Sequence, residues 1–402
     1  MKRYTIVFLL TAILCASLLG ACGEKNVPEL AAPAPSLETK GTAETTVPSA
    51  AETAAESPLE MAPVRHITDT INECHTIDAD VYGPVPEQVT SYRVRRLNPT
   101  PEQAAEVFCP GDPIATKNTR EGGYYTIAVT EGGQMVRVGD CVQFCAAEPD
   151  PGWYSLMYYS EFYNYDNPET EGADLSFMTA GEAKALAAET LEKLGVTLEP
   201  DFTSCATATP GAVSAYLDDL RGQHEFYADW LRGGPNFSGL PEDEECYILR
   251  ISFRQNGLHL LNTIGNHSEP SVGMCSWEFP SDTACEMIIT KDGIQYFESF
   301  GLLTAPEAVE SKPLISAEEA IEKFKTMEYA NFSLEFESVV TQVFLEYVPI
   351  PDGEQVVLKP YWCLVRKDPI LETDPDPSWH MRSLGSGYRF NAYTGGNLAM
   401  WE

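Results

Sequence analysis

Basic residues are scarce in this chain: 26 Lys plus Arg stand against 60 Asp plus Glu over 402 residues, a formal charge of −34. Nucleic-acid binding needs Lys and Arg clustered along a phosphate track, and a polybasic membrane patch needs the same, so both are excluded. The apolar run from Ile6 to Leu19 covers about 21 Å as a helix, short of a bilayer core of about 30 Å. Short catalytic motifs are missing as well. There is no Gly-x-Ser-x-Gly, no Ser-x-x-Lys and no glycine-rich phosphate loop followed by Lys. His224-Glu225 begins like a zincin helix, but Ala228 stands where the second His is required. No CxxC and no His pair at ligand spacing is present, so nothing calls for a thiolate metal centre or a cofactor. Paired carboxylates of the glycosidase kind have no fixed spacing, which leaves catalysis open as a class.

What is present begins at the N-terminus. Lys2 and Arg3 form a basic n-region, Ile6 to Leu19 an apolar h-region, and Leu19-Gly20-Ala21-Cys22 closes it with small residues before a cysteine. This resembles the lipobox of bacterial lipoproteins. The resemblance implies cleavage between Ala21 and Cys22, a diacylglyceryl thioether on Cys22 and attachment to the extracytoplasmic face of the cell membrane through that lipid. An ordinary secretory signal and a plain anchor are the alternatives. Residues 23–62 hold Ala, Glu, Thr, Pro and Ser with no aromatic residue, a composition that cannot offset its own ordering entropy. They are expected to form a disordered tether reaching roughly 35 Å as a flexible coil.

From Met61 onward, short alternating runs separated by turn residues dominate, and three helix starts interrupt them. Thr100-Pro101-Glu102-Gln103, Thr179-Ala180-Gly181-Glu182 and Ser316-Ala317-Glu318-Glu319 each place a hydroxyl three residues before Glu or Gln, the capping box. The second helix carries Ala183, Leu186, Ala187, Leu191 and Leu194 on one stripe and stops at Gly195. Hairpins are expected at Glu131-Gly132-Gly133, Asn256-Gly257 and Asp292-Gly293, and later strands over 336–347, 361–365 and 388–392. Helices and antiparallel hairpins segregate without regular βαβ alternation, so the fold class is α+β: antiparallel sheets with a few packed helices, in units that repeat a helix-plus-hairpin design. Gly265, Asn266, Ser268, Pro270 and Gly273 cluster between 262 and 285 and suggest a boundary there.

Ser316 to Ile321, Leu345-Glu346-Tyr347, Pro360-Tyr361-Trp362-Cys363-Leu364-Val365 and Phe390-Asn391-Ala392-Tyr393-Thr394-Gly395 follow one recipe. It is similar to the C-terminal part of PepSY-type modules and of YycI-type extracellular regulators found beside cell-wall kinases. The whole arrangement also resembles clostridial lipoproteins of unknown function. The expected organisation is therefore a signal peptide and lipobox over 1–22, a linker over 23–62, an N-terminal α+β domain over 63–270 and a PepSY/YycI-like domain over 271–402. Packing alone also accounts for every residue of the recipe.

Candidate chemistry is sparse. Nine Cys remain after Cys15 and Cys22: 74, 109, 141, 145, 205, 246, 275, 285 and 363. Most read as buried small hydrophobes. Cys141 and Cys145 would lie roughly 13 Å apart in a strand, too far to bridge, whereas Cys275 and Cys285 could close a short loop. Cys74-His75 puts a thiol beside an imidazole, but neighbours in a strand face opposite ways. Acidic groups at 242–245, 166–174 and 374–376 match no EF-hand and read as solvated loops. Trp153, Tyr154, Tyr158, Tyr159, Phe162, Tyr163 and Tyr165 crowd thirteen residues, and Trp230 closes a second aromatic patch. Two readings stay open: a strand covered on both faces, or a surface platform for a protein, peptide or glycan.

The leading expectation is a lipid-anchored, non-catalytic binding or regulatory protein of the cell envelope. Its partners would be the membrane through Cys22 and an envelope protein, peptide or glycan. A glycan- or peptide-binding lipoprotein comes second, and a wall- or glycan-processing enzyme third. Residues 63–402 hold 53 acidic and 22 basic residues, so the negative charge belongs to the folded part and would favour a cationic or metal-bridged partner.

Overall fold

The computed structural model describes residues 63–72, 74–83, 85–119, 125–139, 141–146, 172–215, 244–261, 285–299, 301–327, 338–352, 355–367 and 387–398. The three capped helices form where the hydroxyl residues place them. Helix α1 (Pro101–Phe108), α2 (Ala180–Leu194) and α3 (Ala317–Lys325) each have the complete reciprocal box, with Thr100, Thr179 and Ser316 accepting from the third backbone N–H. Such a box satisfies two of the donors that a helix start leaves without partners. Helix α2 ends at Gly195, whose φ of +98° is the left-handed conformation that glycine adopts without strain. Ala183, Ala187, Leu191 and Leu194 on its stripe are buried.

Among the described residues, sixteen strands make one mixed, mostly antiparallel sheet, so the α+β class holds. The strands are β1 (Arg65–Thr70), β2 (His75–Val81), β3 (Gln88–Arg96), β4 (Ile114–Thr119), β5 (Tyr125–Thr130), β6 (Met135–Gly139), β7 (Val142–Cys145) and β8 (Glu199–Ala208). They continue as β9 (Cys246–Gln255), β10 (Leu258–Leu260), β11 (Cys285–Thr290), β12 (Gly293–Ser299), β13 (Leu303–Pro313), β14 (Ser338–Asp352), β15 (Gln355–Lys367) and β16 (Gly387–Asn391). Their order is β13-β3-β15-β14-β10-β9-β11-β12-β7-β6-β5-β4, with β1 on β2, β2 on β14, β16 on β15 and β8 on β9. Two pairings are parallel, β2 with β14 and β10 with β14. The 270/271 boundary expected from the sequence falls between β10 and β11, inside this sheet, and strands from either side of it pair with one another. Contacts gather residues Ala54–Glu402 into one compact unit.

The three helices pack on one face: α1 over β5 and β6, α2 over β8 and β9 and beside α1, and α3 over β15 and β16. Tyr247, Leu249, Ile251 and Phe253 of β9 face this core, fully buried. Each such aliphatic or aromatic side chain stabilises the fold by about 1.5–3 kcal/mol relative to exposure. Phe108 stacks on Phe144 at 4.8 Å under α1, and Phe324 meets Tyr388 at 4.6 Å under α3. The hairpin joining β9 to β10 has Asn256 and Gly257 both at positive φ, 51° and 74°, the pair of values a type I′ turn needs. At one end of the sheet, β13 carries Pro306 and Pro313 and two register shifts, features that blunt an edge against further pairing.

The β10 strand has three residues and a special place. It is the only described strand that pairs with both halves of the sheet, through Arg254 and Gln255 of β9 and through Glu346 and Tyr347 of β14. Leu261 continues the seam by donating its N–H to the Tyr347 carbonyl at 2.7 Å.

Candidate functional site

Strand alternation decides what the other face of the sheet carries. With Tyr247, Leu249, Ile251 and Phe253 committed to the helix side, Arg250, Ser252 and Arg254 must point the opposite way. The register puts Asp201 of β8 opposite Ser252, His259 of β10 opposite Arg254, and Glu346 of β14 opposite His259. Charged residues from strands far apart in sequence therefore meet on one face at the seam.

Their geometry is close. Asp201 Oδ1 accepts from Arg254 Nη2 at 2.9 Å, and Oδ2 lies 2.6 Å from His259 Nδ1. Ser252 Oγ donates to the same Oδ2 at 3.3 Å. Asp201 and Arg254 are buried, and the His259 side chain keeps 13% of its surface. Burial is the largest influence on Asp201 and opposes its ionisation, but the bonds and charges of His259 and Arg254 together outweigh it and hold the carboxyl below its ordinary range. With Nδ1 as donor to Asp201, the ring turns its other nitrogen away from the carboxylate. That Nε2 is buried, with no hydrogen-bond partner among the described residues.

Across the seam, Glu346 Oε1 accepts from Arg389 Nε of β16 at 2.6 Å, both side chains at least nine-tenths buried. Desolvation works against the Arg389 charge, yet the adjacent Glu346 prevails and raises its affinity for the proton. Cys363 sits opposite Arg389 on β15, its thiol pushed up by burial and by the Glu346 charge. Farther along the same face, Arg250 Nε donates to Glu286 at 2.8 Å, and Tyr296 donates to Glu298 at 2.8 Å while accepting from Gln143 Nε2 at 3.1 Å. These ion pairs and polar groups share the face with buried apolar residues such as Ile248, Ile288, Val348 and Tyr361.

Chemically, these groups pair opposite charges and orient one imidazole. Among the described residues, no group of three His, Cys, Asp or Glu side chains is arranged to hold a metal ion. Several of the buried thiols are poor nucleophiles at neutral pH. Cys109 and Cys145 are pushed up to about 11, and Cys246 and Cys285 higher, in each case chiefly by burial.

The residues expected to act from sequence fall elsewhere. Ala21, Cys22, Trp153, Tyr154, Tyr158, Tyr159, Phe162, Tyr163 and Trp230 all lie outside the described residues, as does Cys275. Cys109, Cys141, Cys145, Cys205, Cys246, Cys285 and Cys363 are buried, as small hydrophobes are, and Cys74 is half-buried. His75 is buried at the start of β2, and both its backbone N–H and that of Cys74 bond to Asn72 Oδ1 at 2.9 Å. Two of the acidic residues read as solvated loops do structural work. Asp174 accepts from Ala180 N–H at 3.0 Å and Glu245 from Ser176 Oγ at 2.8 Å, fixing the entry to α2. Sequence reading passed over Asp201, Arg254, His259, Glu346 and Arg389. The signal for them was the placement of Arg250, Ser252 and Arg254 at alternate positions of a largely apolar strand.

Among the described residues no helix is long and apolar enough to cross a membrane. No protein-family model and no curated protein matches the chain. Among solved structures, the crystal structure of an uncharacterized protein from Eubacterium rectale is similar, with a TM-score of 0.50 and 15% identity, over 85% of this chain and 97% of that one. At that identity the likeness is one of fold.

Proposed function

We propose that this chain is a lipoprotein held on the extracytoplasmic face of the cell membrane through Cys22, where its acidic body binds or regulates another envelope component without catalysis. The observation that carries the reading is Leu19-Gly20-Ala21-Cys22 behind a short apolar run, followed by forty residues without an aromatic. Two features of the folded body support it. The deeply placed charges of the seam are spent on one another as Asp201 with Arg254 and Glu346 with Arg389, an arrangement that shapes a surface. The segments that resemble PepSY- and YycI-type modules are also spatial neighbours. Trp362 of β15 pairs in register with Phe390 of β16, and its Nε1 donates to the Ile315 carbonyl just before α3 at 3.0 Å. A regulatory role by contact follows from that likeness.

The second reading is a glycan or peptide platform built on Trp153, Tyr154, Tyr158, Tyr159, Phe162, Tyr163 and Trp230. Crosslinking and pull-down of the full-length protein from native membranes tests both. A protein partner retained by wild type and lost from Tyr159→Ala or Trp230→Ala, with unchanged melting temperature, supports contact through those segments. Co-sedimentation with purified wall polymer, lost in the same variants, favours the platform. Turnover of that polymer by the purified protein would overturn the non-catalytic reading.

A further inference from the structure

Strand β1 pairs antiparallel with β2 along all six of its residues, and beyond that ladder its side-chain contacts are mostly charged. Five of its six residues are exposed, and its one inward aliphatic, Ile67, is only half-buried against the core. On the inward face, Arg65 and Asp69 flank Ile67 and reach opposite ends of α3. Arg65 Nη1 meets Glu318 at 2.6 Å in the first turn, and Asp69 meets Lys325, the last helical residue, which also bonds Glu322 at 2.7 Å. On the outward face, the charged contacts among the described residues centre on His66. His66 lies opposite Asp80 of β2, with Asp78 on the diagonal, and its two ring nitrogens each meet a different carboxylate: Nδ1 to Asp80 at 2.8 Å and Nε2 to Asp78 at 2.9 Å.

That double contact fixes a protonation state. A neutral imidazole has one N–H, so one of its nitrogens would turn a lone pair toward a carboxylate; only the imidazolium donates to both. Among the described residues, Tyr82, which bonds Asp80, and Gln342 of β14, in register with Asp80, also face this corner, and neither supplies a cation. When His66 is neutral, Asp78 and Asp80 stand two residues apart on one face with no positive charge between them among the described residues.

We propose that β1 is a proton-dependent latch: the His66 imidazolium clamps the strand to β2, and loss of that proton, together with screening of the Arg65 and Asp69 pairs, releases β1 from the sheet. Because β1 is the first of the described strands, its release would free the edge of β2 and lengthen the chain leading to β2 by about 3.3 Å per residue. The bonds to Asp80 and then Asp78 hold the His66 proton above the ordinary imidazole range. A His with a raised folded pKa contributes stability that is complete below its unfolded value and disappears as pH rises through the folded one. The clamp therefore closes in mildly acidic conditions and opens toward alkaline ones.

Amide hydrogen exchange on the full chain, read as protection factors so that intrinsic pH effects cancel, tests this directly. The expected result is a fall in protection of the Ile67 and Asp69 amides, which face β2, by about two- to fivefold, the range for exposed ion pairs, between pH 6 and pH 8.5. Amides of β9 should not change. His66→Gln should show the low protection at both pH values, and Asp78→Asn with Asp80→Asn should flatten the profile without unfolding the chain. High salt at pH 6 should lower protection of β1 alone. Constant protection of β1 across this range, or an unchanged pH dependence in His66→Gln, would overturn the proposal.

Discussion

Replacing Asp201 by Ala puts the seam under the most informative strain. The substitution removes the acceptor that Arg254 and His259 share and leaves a buried guanidinium without its counter-charge. Breaking a buried pair in this way costs about 3–5 kcal/mol, because the remaining charge keeps its desolvation penalty and loses its compensation. A cooperative unit of about 350 residues has an unfolding entropy near 0.7 kcal/mol/K, so the melting temperature should fall by about 4–7 °C. Asp201→Leu combined with Arg254→Met removes both charges and should recover most of that loss, since an apolar replacement of the pair is often neutral. The acid limb adds an independent check. The Asp201 carboxyl titrates below its unfolded value of 3.8, so its contribution is present above about pH 4 and is lost as pH falls through the folded value. Differential scanning calorimetry of wild type, Asp201→Ala, the double variant and its two component single variants, Asp201→Leu and Arg254→Met, at pH 7 and at pH 3 measures all of this. A single-mutant shift below about 1 °C, or a double mutant as unstable as the sum of its parts, would refute the coupling.

Trp362→Phe should cost about 1–3 kcal/mol, because the Ile315 carbonyl loses its buried donor, and Trp362→Ala about 3–5 kcal/mol through the cavity it leaves; urea titration distinguishes them. Thr179→Ala and Ser316→Ala should each cost about 1 kcal/mol by opening a capping box, with Thr179→Asp close to wild type in the same titration. Under native conditions at pH 8, iodoacetamide should modify the half-buried Cys74 well before Cys246, Cys285 and Cys363, and peptide mass spectrometry reads the order; equal rates would mean that these strands open readily.

Local features of the fold were legible in the sequence, and long-range ones were not. Thr100, Thr179 and Ser316 announced three helices because capping chemistry acts within four residues, and Asn256-Gly257 announced its hairpin because only such residues take two positive φ values. The expected strand over 361–365 is the centre of the longer β15, since alternation marks where a strand is buried better than where it ends. The union of the two halves through β10 was invisible. A three-residue strand has no periodicity, and its pairing with β14 joins His259 to Glu346 in parallel across the chain. Parallel pairing of distant segments leaves no turn signal. Asp201, Arg254 and His259 were missed for the same reason, each unremarkable until the register brings them to one face. His66 needed the pairing of β1 with β2 before its two carboxylates could be counted.

Cys22 is proposed to carry the lipid that holds this acidic body at the membrane. Metabolic labelling with an alkyne palmitate, followed by membrane fractionation of wild type and Cys22→Ala, addresses it most directly. The expected result is a labelled, membrane-bound wild type that begins at Cys22, and an unlabelled Cys22→Ala that is either released or retained uncleaved. Equal labelling of the two proteins, or a wild type cut elsewhere and recovered free of lipid, would contradict it.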